Sequence, residues 1–299
     1  MPRGEDSHGR EVIDHPAGRI GSDYGLSITD GEFRLLRDLI RKHTGIALSD
    51  HKRALTCSRL AKRLRHYHLE CYQDYYDLLT RSAAGKEELV AMVNAITTNK
   101  TQFFREPHHF KFLFERVLQP LQTERRWPLL IWSAGTASGE EAYSMAMTVR
   151  EATSEERDPG VRILATDIST DVLRRAEAGV YAKELARHVP EALLHRYFLN
   201  GRGAHHGFVC AKPALRSLIR FQQLNLMDDP WPMRGPFDVI FCRNVLIYFD
   251  KPTQQQLVSR FGALLRPGGF LMLGHSEALH GFDCGFQPVG HSIYVSQGH

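Results

Sequence analysis

Apolar residues first recur with a helical period just after Thr29, where a polar, Gly-rich stretch ends. Those on one helical face are Phe33, Leu36, Leu39 and Ile40. Thr44-Gly45 is typical of a helix end. Further helical patterns cover Ser49–Tyr67 with Leu55, Leu60 and Leu64 inward, then Tyr72, Tyr75, Leu78 and Leu79, and then Leu89, Val93 and Ile96. The pattern predicts a helical bundle over residues 27–97, after a flexible tail at residues 1–26.

From residue 98 to 299, short apolar runs alternate with helical patterns, which is typical of a parallel sheet covered by helices. The predicted strands are Leu129–Ser133, Val161–Thr166, Leu218–Gln223, Phe237–Cys242 and Gly269–Gly274, with a late antiparallel pair at Phe286–Pro288 and Ser292–Val295. The predicted helices are Glu140–Arg150, Asp171–Ala178 and Thr253–Leu265. Asn200–Arg216 is rich in Gly and His and lacks a helical period, so we expect an insertion there.

Composition supports a soluble α/β protein with one large and one smaller domain, since the chain has 299 residues of which 42% are hydrophobic. No run approaches the roughly 18 apolar residues of a membrane helix, and the N-terminus lacks the apolar core of a signal peptide. The five cysteines form no C-x-x-C pair, and the sixteen histidines show no H-E-x-x-H spacing. We therefore expect a cytoplasmic protein without a metal site.

Positive charge is concentrated in one segment of the chain. Between Asp30 and His68 lie ten Lys or Arg and four acids, a net charge of +6, whereas the whole chain carries +4. The remaining residues are therefore net acidic. A basic helical domain on a nearly neutral body predicts an anionic partner without specifying which kind.

The first predicted strand runs into a turn in which Gly135 and Gly139 precede a helix starting near Glu140. Such a turn lets backbone approach a ligand at a helix N-terminus, although an ordinary tight turn explains the same pattern. The third glycine of the dinucleotide motif is missing, and Glu140 and Glu141 stand where a pyrophosphate needs positive potential. The turn therefore favours a cationic ligand.

The second predicted strand ends at Asp167, where an acid can accept hydrogen bonds from both hydroxyls of a ribose. The competing interpretation is that Asp167 caps the helix starting near Thr170. Together with the glycine turn, the acid favours an adenosine ligand without phosphates, a description that S-adenosylmethionine fits because it carries a sulfonium cation.

Two further polar clusters interrupt apolar sequence. Thr97–Glu106 carries Asn99, Thr101 and Arg105 beside two phenylalanines, and Ile240–Asp250 carries Arg243, Asn244 and Tyr248. A helix cap, a surface arginine, a strand-end turn and a core tyrosine would explain the same residues without a ligand.

Long strings of the chain resemble the CheR family of chemotaxis receptor glutamate O-methyltransferases. They are T-T-N-K-T-Q-F-F-R-E at 97–106, W-S-A-G-T-A-S-G-E-E-A-Y-S at 132–144, A-T-D-I at 165–168, G-V-Y at 179–181, L-N-L at 224–226, F-C-R-N-V-L-I-Y-F-D at 241–250 and P-G-G-F-L-M-L-G-H-S-E at 267–277. The resemblance runs from about residue 28 to the end. It departs at Ala142, where proline is common.

The resemblance implies a class I S-adenosylmethionine-dependent methyltransferase fold, a Rossmann-like α/β sheet, with a small antiparallel β-subdomain at about 194–222 and an N-terminal all-α domain. It implies S-adenosyl-L-methionine as cofactor, S-adenosyl-L-homocysteine as product, and two catalytic residues, Arg105 and Tyr248. The cofactor-binding residues that it implies are Asn99, Thr101, Arg105, Glu140, Asp167, Asn225, Leu226, Arg243 and Asn244.

The implied activity is methyl transfer to glutamate side chains of methyl-accepting chemotaxis receptors, with the membrane involved only through the receptor. Three alternatives remain at this point: a nucleic-acid methyltransferase, a non-catalytic receptor-binding adaptor and a nicotinamide dehydrogenase. The R-N-V-L-I-Y string disfavours the first and the incomplete glycine motif the third, so no nucleic-acid partner is expected. The presence of every implied ligand position disfavours the second.

Two receptor contacts are expected. The basic helix at 52–65, which carries Lys52, Arg53, Arg59, Lys62, Arg63 and Arg65, is expected to dock on the acidic methylation region. The β-subdomain is expected to capture a C-terminal receptor peptide by strand addition, because Gly201, Gly203 and Gly207 permit tight turns. A solvent-exposed loop is the alternative for the second.

Overall fold

A computed structural model describes residues 26–120, 128–153, 160–279, 281–282 and 284–298. All of the predicted tail except Leu26 lies outside these residues. An N-terminal helical domain is followed by a larger domain built on a sheet. The helical domain contains α1 (Asp30–Thr44), a 3-10 turn (Asp50–Lys52), α2 (Arg53–His66), α3 (Tyr72–Arg81) and α4 (Gly85–Ile96).

Local sequence accounts for the position of α1. Thr29 and Glu32 form a reciprocal capping box at its start, and Gly45 adopts φ 73° at its end. All four apolar residues of the predicted face are buried, so the predicted helix is confirmed. Helix α2 differs from the prediction, because Leu55 is 48% exposed whereas Leu60 and Leu64 are fully buried. The inward placement of Leu55 was therefore wrong.

The larger domain contains a seven-stranded sheet. Its strands are β1 (Leu129–Ala134), β2 (Val161–Asp167), β6 (Ile219–Gln223), β7 (Phe237–Cys242), β8 (Leu265–Leu273), β9 (Phe286–Gly290) and β10 (Ile293–Ser296). Across the sheet the strands follow the order β6-β2-β1-β7-β8-β10-β9. Neighbouring strands among β1, β2, β6, β7 and β8 pair in parallel, and β10 pairs antiparallel with both β8 and β9. The predicted parallel sheet with a late antiparallel pair is thus confirmed, although β8 begins four residues before the predicted start.

Helices cover both faces of this sheet. They are α5 (Pro107–Phe112), which continues into a π-helical turn (Leu113–Leu118), α6 (Glu140–Ala152), α7 (Thr170–Ala178), α8 (Lys183–Ala186), α9 (Glu191–Tyr197), α10 (Pro213–Arg216) and α11 (Lys251–Leu264). The strand order reverses at β1, because β2 lies on one side of β1 and β7 lies on the other. In parallel α/β sheets, ligands bind at the carboxyl ends of the strands beside such a point.

A second, three-stranded sheet has the order β3 (Val180–Ala182), β5 (Phe208–Ala211) and β4 (Phe198–Asn200). All its pairs are antiparallel, which confirms the small antiparallel sheet. Its first strand starts at Val180, so the sheet extends beyond the interval 194–222 expected from the sequence. One face is buried on the core by Tyr181, Val209 and Phe198, whereas Val180, Leu199 and Phe208 remain exposed.

Polar contacts hold the helical domain on the ends of the large sheet. The backbone N–H of Ala47 donates to the carbonyl of Tyr248 at 2.8 Å, and the side chain of Asn225 donates to the carbonyl of His43 at 2.7 Å. Arg41 pairs with Asp250 across the same boundary. The two domains therefore meet along the segment that joins α1 to α2.

Gly45 is predicted to be required for this contact between the domains. A Cβ added there would lie 2.5 Å from the Sδ of Met227 and 2.9 Å from Cε1 of Phe249, at a φ that favours glycine. Gly45→Ala should lower the free energy of unfolding by about 2–4 kcal/mol, measured in urea, through backbone strain and overpacking. Gly203→Ala is the control, since Gly203 has φ 58° and nothing lies within 4 Å of its added Cβ. An equal loss in both variants would refute the packing argument.

Candidate active site

A cavity of about 320 Å³ lies at the carboxyl ends of β1, β2 and β7, and the helical domain covers part of it. Eight of the nine residues expected to bind the cofactor line it: Asn99, Thr101, Arg105, Asp167, Asn225, Leu226, Arg243 and Asn244. Tyr248, expected to be catalytic, lines it as well. Residues spread over 150 positions of sequence therefore converge on one cavity.

Asp167 is held rigidly at the end of β2. One carboxylate oxygen accepts from the N–H of Ala137 at 2.9 Å, and the other accepts from the N–H of Ser169 at 2.9 Å. Burial raises the pKa of this carboxyl, and these backbone donors oppose the rise. Both interpretations of Asp167 are compatible, because it holds the start of the next helix and its oxygens still have lone pairs for ligand hydroxyls.

Glu140 and Glu141 face different surroundings, because successive helical residues point about 100° apart. Glu140 is buried, accepts from the hydroxyl of Ser138 at 2.7 Å, and lies off the cavity lining. Glu141 lines the cavity and accepts from the hydroxyl of Ser133 at 2.7 Å. Burial raises the pKa of Glu141, whereas the positive charge of Arg243 lowers it. The residue expected to bind the cofactor was Glu140, whereas the structure places Glu141 in the cavity lining instead.

Arg243 is the centre of a buried ionic cluster. Its guanidinium lies 3.2 Å from Glu141 and 3.3 Å from Glu106, and it donates to the backbone carbonyl of Arg105. The ring of Phe110 covers it at 5.5 Å. Arg243 thus pairs with two carboxylates and holds the Thr97–Glu106 segment against the sheet, while its buried Nε has no hydrogen-bond partner.

Backbone strain is concentrated around the cavity. Four of the six non-glycine residues with positive φ in the described part of the chain belong to its walls or flanking segments: Phe104, Glu106, Ala137 and Asn244. Such conformations persist only where surrounding contacts determine them, and they cluster at functional sites. Glu277, which sequence reasoning did not select, holds one of them, because its carboxylate accepts from the N–H groups of Asn244 at 2.7 Å and Gly274 at 2.6 Å.

Arg59 holds the other end of the Thr97–Glu106 segment. Its guanidinium donates to the carbonyls of Ile96 and Thr97 and to the hydroxyl of Thr98. The carbonyl of Thr98 in turn accepts from the hydroxyl of Tyr248 at 3.5 Å. Arg59 therefore fixes the cavity wall that carries Asn99 and Thr101.

Three of the six basic residues expected on the docking helix have polar partners within the chain. Arg63 binds the buried Glu88 through two hydrogen bonds of 2.8 and 2.5 Å, and Arg53 pairs with Asp30 at 2.5 Å. Arg59 likewise has partners within the chain, and docking of the helix at 52–65 on a receptor stays a prediction. Lys62 remains exposed, and Lys52 lies 5.3 Å from the ring centroid of Tyr248.

The cavity therefore combines two kinds of charge at different depths. Its acids, Glu141 and Asp167, are buried together with Arg243, which pairs with Glu141, whereas Lys52, Lys100 and Arg105 are half-buried or exposed. This arrangement can hold a neutral or cationic nucleoside ligand on the acids and attract an anionic second ligand from solvent. Within the described residues, no group of three or more His, Cys, Asp or Glu is placed to hold a metal ion, and no helix is both long and apolar enough to cross a membrane.

Comparison with known proteins gives matches along nearly the whole chain. Residues 31–97 match the family described as "CheR methyltransferase, all-alpha domain", and residues 99–295 match "CheR methyltransferase, SAM binding domain". A chemotaxis protein methyltransferase of Klebsiella aerogenes is 42% identical and covers 90% of each chain. Chemotaxis protein methyltransferase 2 of Pseudomonas aeruginosa is 44% identical over 89% of this chain and 93% of its own. The Escherichia coli chemotaxis protein methyltransferase is 40% identical over 90% and 92%.

His109, packed beside the ionic cluster, is predicted to make the fold acid-sensitive. It is fully buried, and burial together with the charge of Arg243 lowers its pKa to about 3. The unfolded chain gains a proton near pH 6.5 and the folded chain does not, so stability falls as pH drops below 6.5. From pH 7 to pH 5 the loss from this group is about 2 kcal/mol.

Urea unfolding at both pH values measures this loss. His109→Gln should reduce the difference in unfolding free energy between pH 7 and pH 5 by that amount, and the exposed His205→Gln should leave it unchanged. A pH difference in His109→Gln equal to that of the wild type would show that His109 is protonated in the folded protein.

Proposed function

The chain belongs to the CheR methyltransferase family, and we propose that it transfers the methyl group of S-adenosylmethionine to glutamate side chains of chemotaxis receptors. It is an S-adenosylmethionine-dependent methyltransferase that acts in chemotaxis. The observation that supports the glutamate acceptor is the cavity itself, in which buried acids lie below half-buried and exposed cations.

The residues of the cavity suit this cofactor. Asp167 offers oriented oxygens for the ribose hydroxyls, and Glu141 offers a buried negative charge. Arg105, whose guanidinium donates to the carbonyl of Lys100 at 3.1 Å, is available for a carboxylate. Asn99, Thr101, Asn225, Leu226 and Asn244 complete the proposed cofactor contacts. We assign Arg243 a positioning role, because its guanidinium pairs with Glu106 and Glu141 and donates to the carbonyl of Arg105.

The cofactor supplies a methyl group on a sulfonium sulfur, which leaves as a neutral thioether. A glutamate acceptor has a reference pKa of about 4.3 and is ionised at neutral pH, so the protein does not have to remove a proton. The protein therefore has to hold the carboxylate oxygen in line with the methyl carbon and the sulfur, and to exclude water. Such positioning can lower the activation free energy by several kcal/mol. Arg105 and Tyr248 are the proposed contacts of that carboxylate. The product ester has lost one negative charge.

Two features support a receptor as the partner. Lys52 and Lys62 present positive charge on the same side of the helical domain as the cavity, which suits an acidic methylation region. The edge strands of the small sheet, β3 and β4, carry the exposed Val180 and Leu199, which suits a tethered receptor peptide bound as an added strand. A nucleic-acid methyltransferase is not favoured, since the relatives of this chain are chemotaxis methyltransferases.

The function is tested with the purified full chain. Calorimetric titration with S-adenosylmethionine and S-adenosylhomocysteine measures cofactor binding, and membranes containing methyl-accepting receptors serve as acceptor for a radiolabelled methyl group. We expect label on the receptor that is released as methanol by base, as a carboxyl methyl ester requires. Label on the receptor that resists base would place the methyl group on another atom and contradict the glutamate acceptor.

Asp167→Ala is predicted to weaken S-adenosylhomocysteine binding by about 10- to 100-fold, because charge-assisted hydrogen bonds contribute roughly 1.5–3 kcal/mol. Asp167→Asn should weaken it as well, since both carboxylate oxygens face backbone N–H groups and an amide NH₂ would oppose one of them. The control is Asp171→Ala, whose exposed carboxylate pairs with Arg174 away from the cavity. Full affinity in a folded Asp167→Ala protein would remove Asp167 from the ribose site.

Tyr248→Phe is predicted to lower the rate of methyl transfer by about 100-fold, as loss of one preorganised donor does at comparable sites. The affinity for S-adenosylhomocysteine should change by less than about threefold, because the ring keeps its place beside Lys52 and the hydroxyl, whose bond to the carbonyl of Thr98 is long at 3.5 Å, is proposed to turn to the acceptor carboxylate. Single-turnover kinetics with receptor membranes separate the two effects. Retained turnover together with lost cofactor affinity would assign Tyr248 to cofactor binding instead.

A further inference from the structure

Four residues of the cavity lining are exposed to solvent and define its mouth: Leu55, Thr98, Lys100 and Ile247. Two of them are large and apolar. Leu55 and Ile247 are each 48% exposed, although nearly all other apolar lining residues are buried or half-buried. An exposed leucine or isoleucine by itself needs no explanation, but two of them at the entrance of one active site mark a surface that a partner covers.

The two side chains reach the mouth from different domains. Leu55 belongs to the first turn of α2, whereas Ile247 belongs to the 3-10 turn (Leu246–Tyr248) that follows β7. The turn is fixed, because the N–H of Ile247 donates to Glu277 at 3.2 Å and the carbonyl of Tyr248 accepts from Ala47. The apolar groups are therefore held in place by the contact between the domains.

The charge at the mouth restricts what can cover these groups. All the charged lining residues that are exposed or half-buried are cations: Lys52, Arg59, Lys100 and Arg105. A partner that fits must bring a negative charge to the centre of the mouth and apolar groups to its edges. A helix presents this combination when apolar residues stand three or four positions from a glutamate, because such residues share one face.

We propose that Leu55 and Ile247 clamp apolar side chains that flank the acceptor glutamate on a receptor helix, so that the enzyme selects glutamates set between apolar residues on one helical face. This inference rests on the proposed function. The clamp acts on recognition of the acceptor, and the buried acids and Arg105 act on the cofactor and the reacting carboxylate. The partner is thus an amphipathic helix with an acidic centre, which combines apolar anchoring with electrostatic attraction.

The test uses full-length Leu55→Ser, Ile247→Ser and the double variant. Initial rates of methyl transfer to receptor membranes are measured against receptor concentration, and S-adenosylhomocysteine affinity is measured by calorimetry. Each single variant should raise the KM for receptor about fivefold, and the double variant about 25-fold, with cofactor affinity changed by less than twofold. Leu35→Ser is the matched control, because Leu35 is an exposed apolar residue of α1 outside the cavity lining and should leave both constants unchanged.

A second arm changes the acceptor instead of the enzyme. In a receptor, the apolar residues three and four positions from a methylated glutamate are replaced by serine. The wild-type enzyme should methylate this glutamate with a KM raised by the same factor, and the double variant should not distinguish the two receptors. An unchanged receptor KM in the double variant, or a parallel loss of cofactor affinity, would overturn the clamp. Absence of any receptor methylation by the wild type would instead overturn the proposed function.

Discussion

The active site depends on one buried cation. Arg243 lies within 3.3 Å of carboxylates from two separate helical segments, Glu106 before α5 and Glu141 in α6, and it also binds the carbonyl of Arg105. The two carboxylates stabilise this deeply buried guanidinium, although its Nε has no hydrogen-bond partner, and removing a partner from such a cluster is strongly destabilising. The cluster therefore ties the linker between the domains to β7, and the cavity wall follows from that connection.

Two carboxylates at the strand ends, Asp167 and Glu277, hold the backbone around the cavity. Asp167 and Glu277 each accept from two or more N–H groups of strand-end turns, and those turns contain Ala137 and Asn244 in the left-handed region. Strained residues of this kind cost of order 1–3 kcal/mol each. The long sequence motifs therefore contain two kinds of residue: polar residues that line the cavity, and residues that support the backbone of the loops around it.

The sequence predicted the strands and the first helix well because hydrophobic period is a local property. It predicted most of the cavity residues through motifs whose members lie close together in the chain. The sequence-based predictions failed where the position of a side chain depends on a partner far away in the chain. The charge pattern of α2 could not reveal that Arg63 meets Glu88 or that Arg59 meets the carbonyl of Ile96, 25 and 37 residues further on. Leu55 was predicted to be buried because the hydrophobic period places it on the apolar face of the helix. The period does not show that this part of the face lies at the mouth of a cavity.

The cavity wall is shared between the two domains, and this has a thermodynamic consequence. Thr44 reaches the cavity from the end of α1, and Ile46 and Leu48 reach it from the segment that follows, whereas Asp167 and Asn244 reach it from the ends of the strands. A ligand that contacts both walls binds only the assembled arrangement, so its binding free energy adds to the cohesion between the domains. If the cofactor contacts both walls, its binding and the association of the domains are linked functions, and we expect saturating cofactor to make the helical domain and the sheet unfold together.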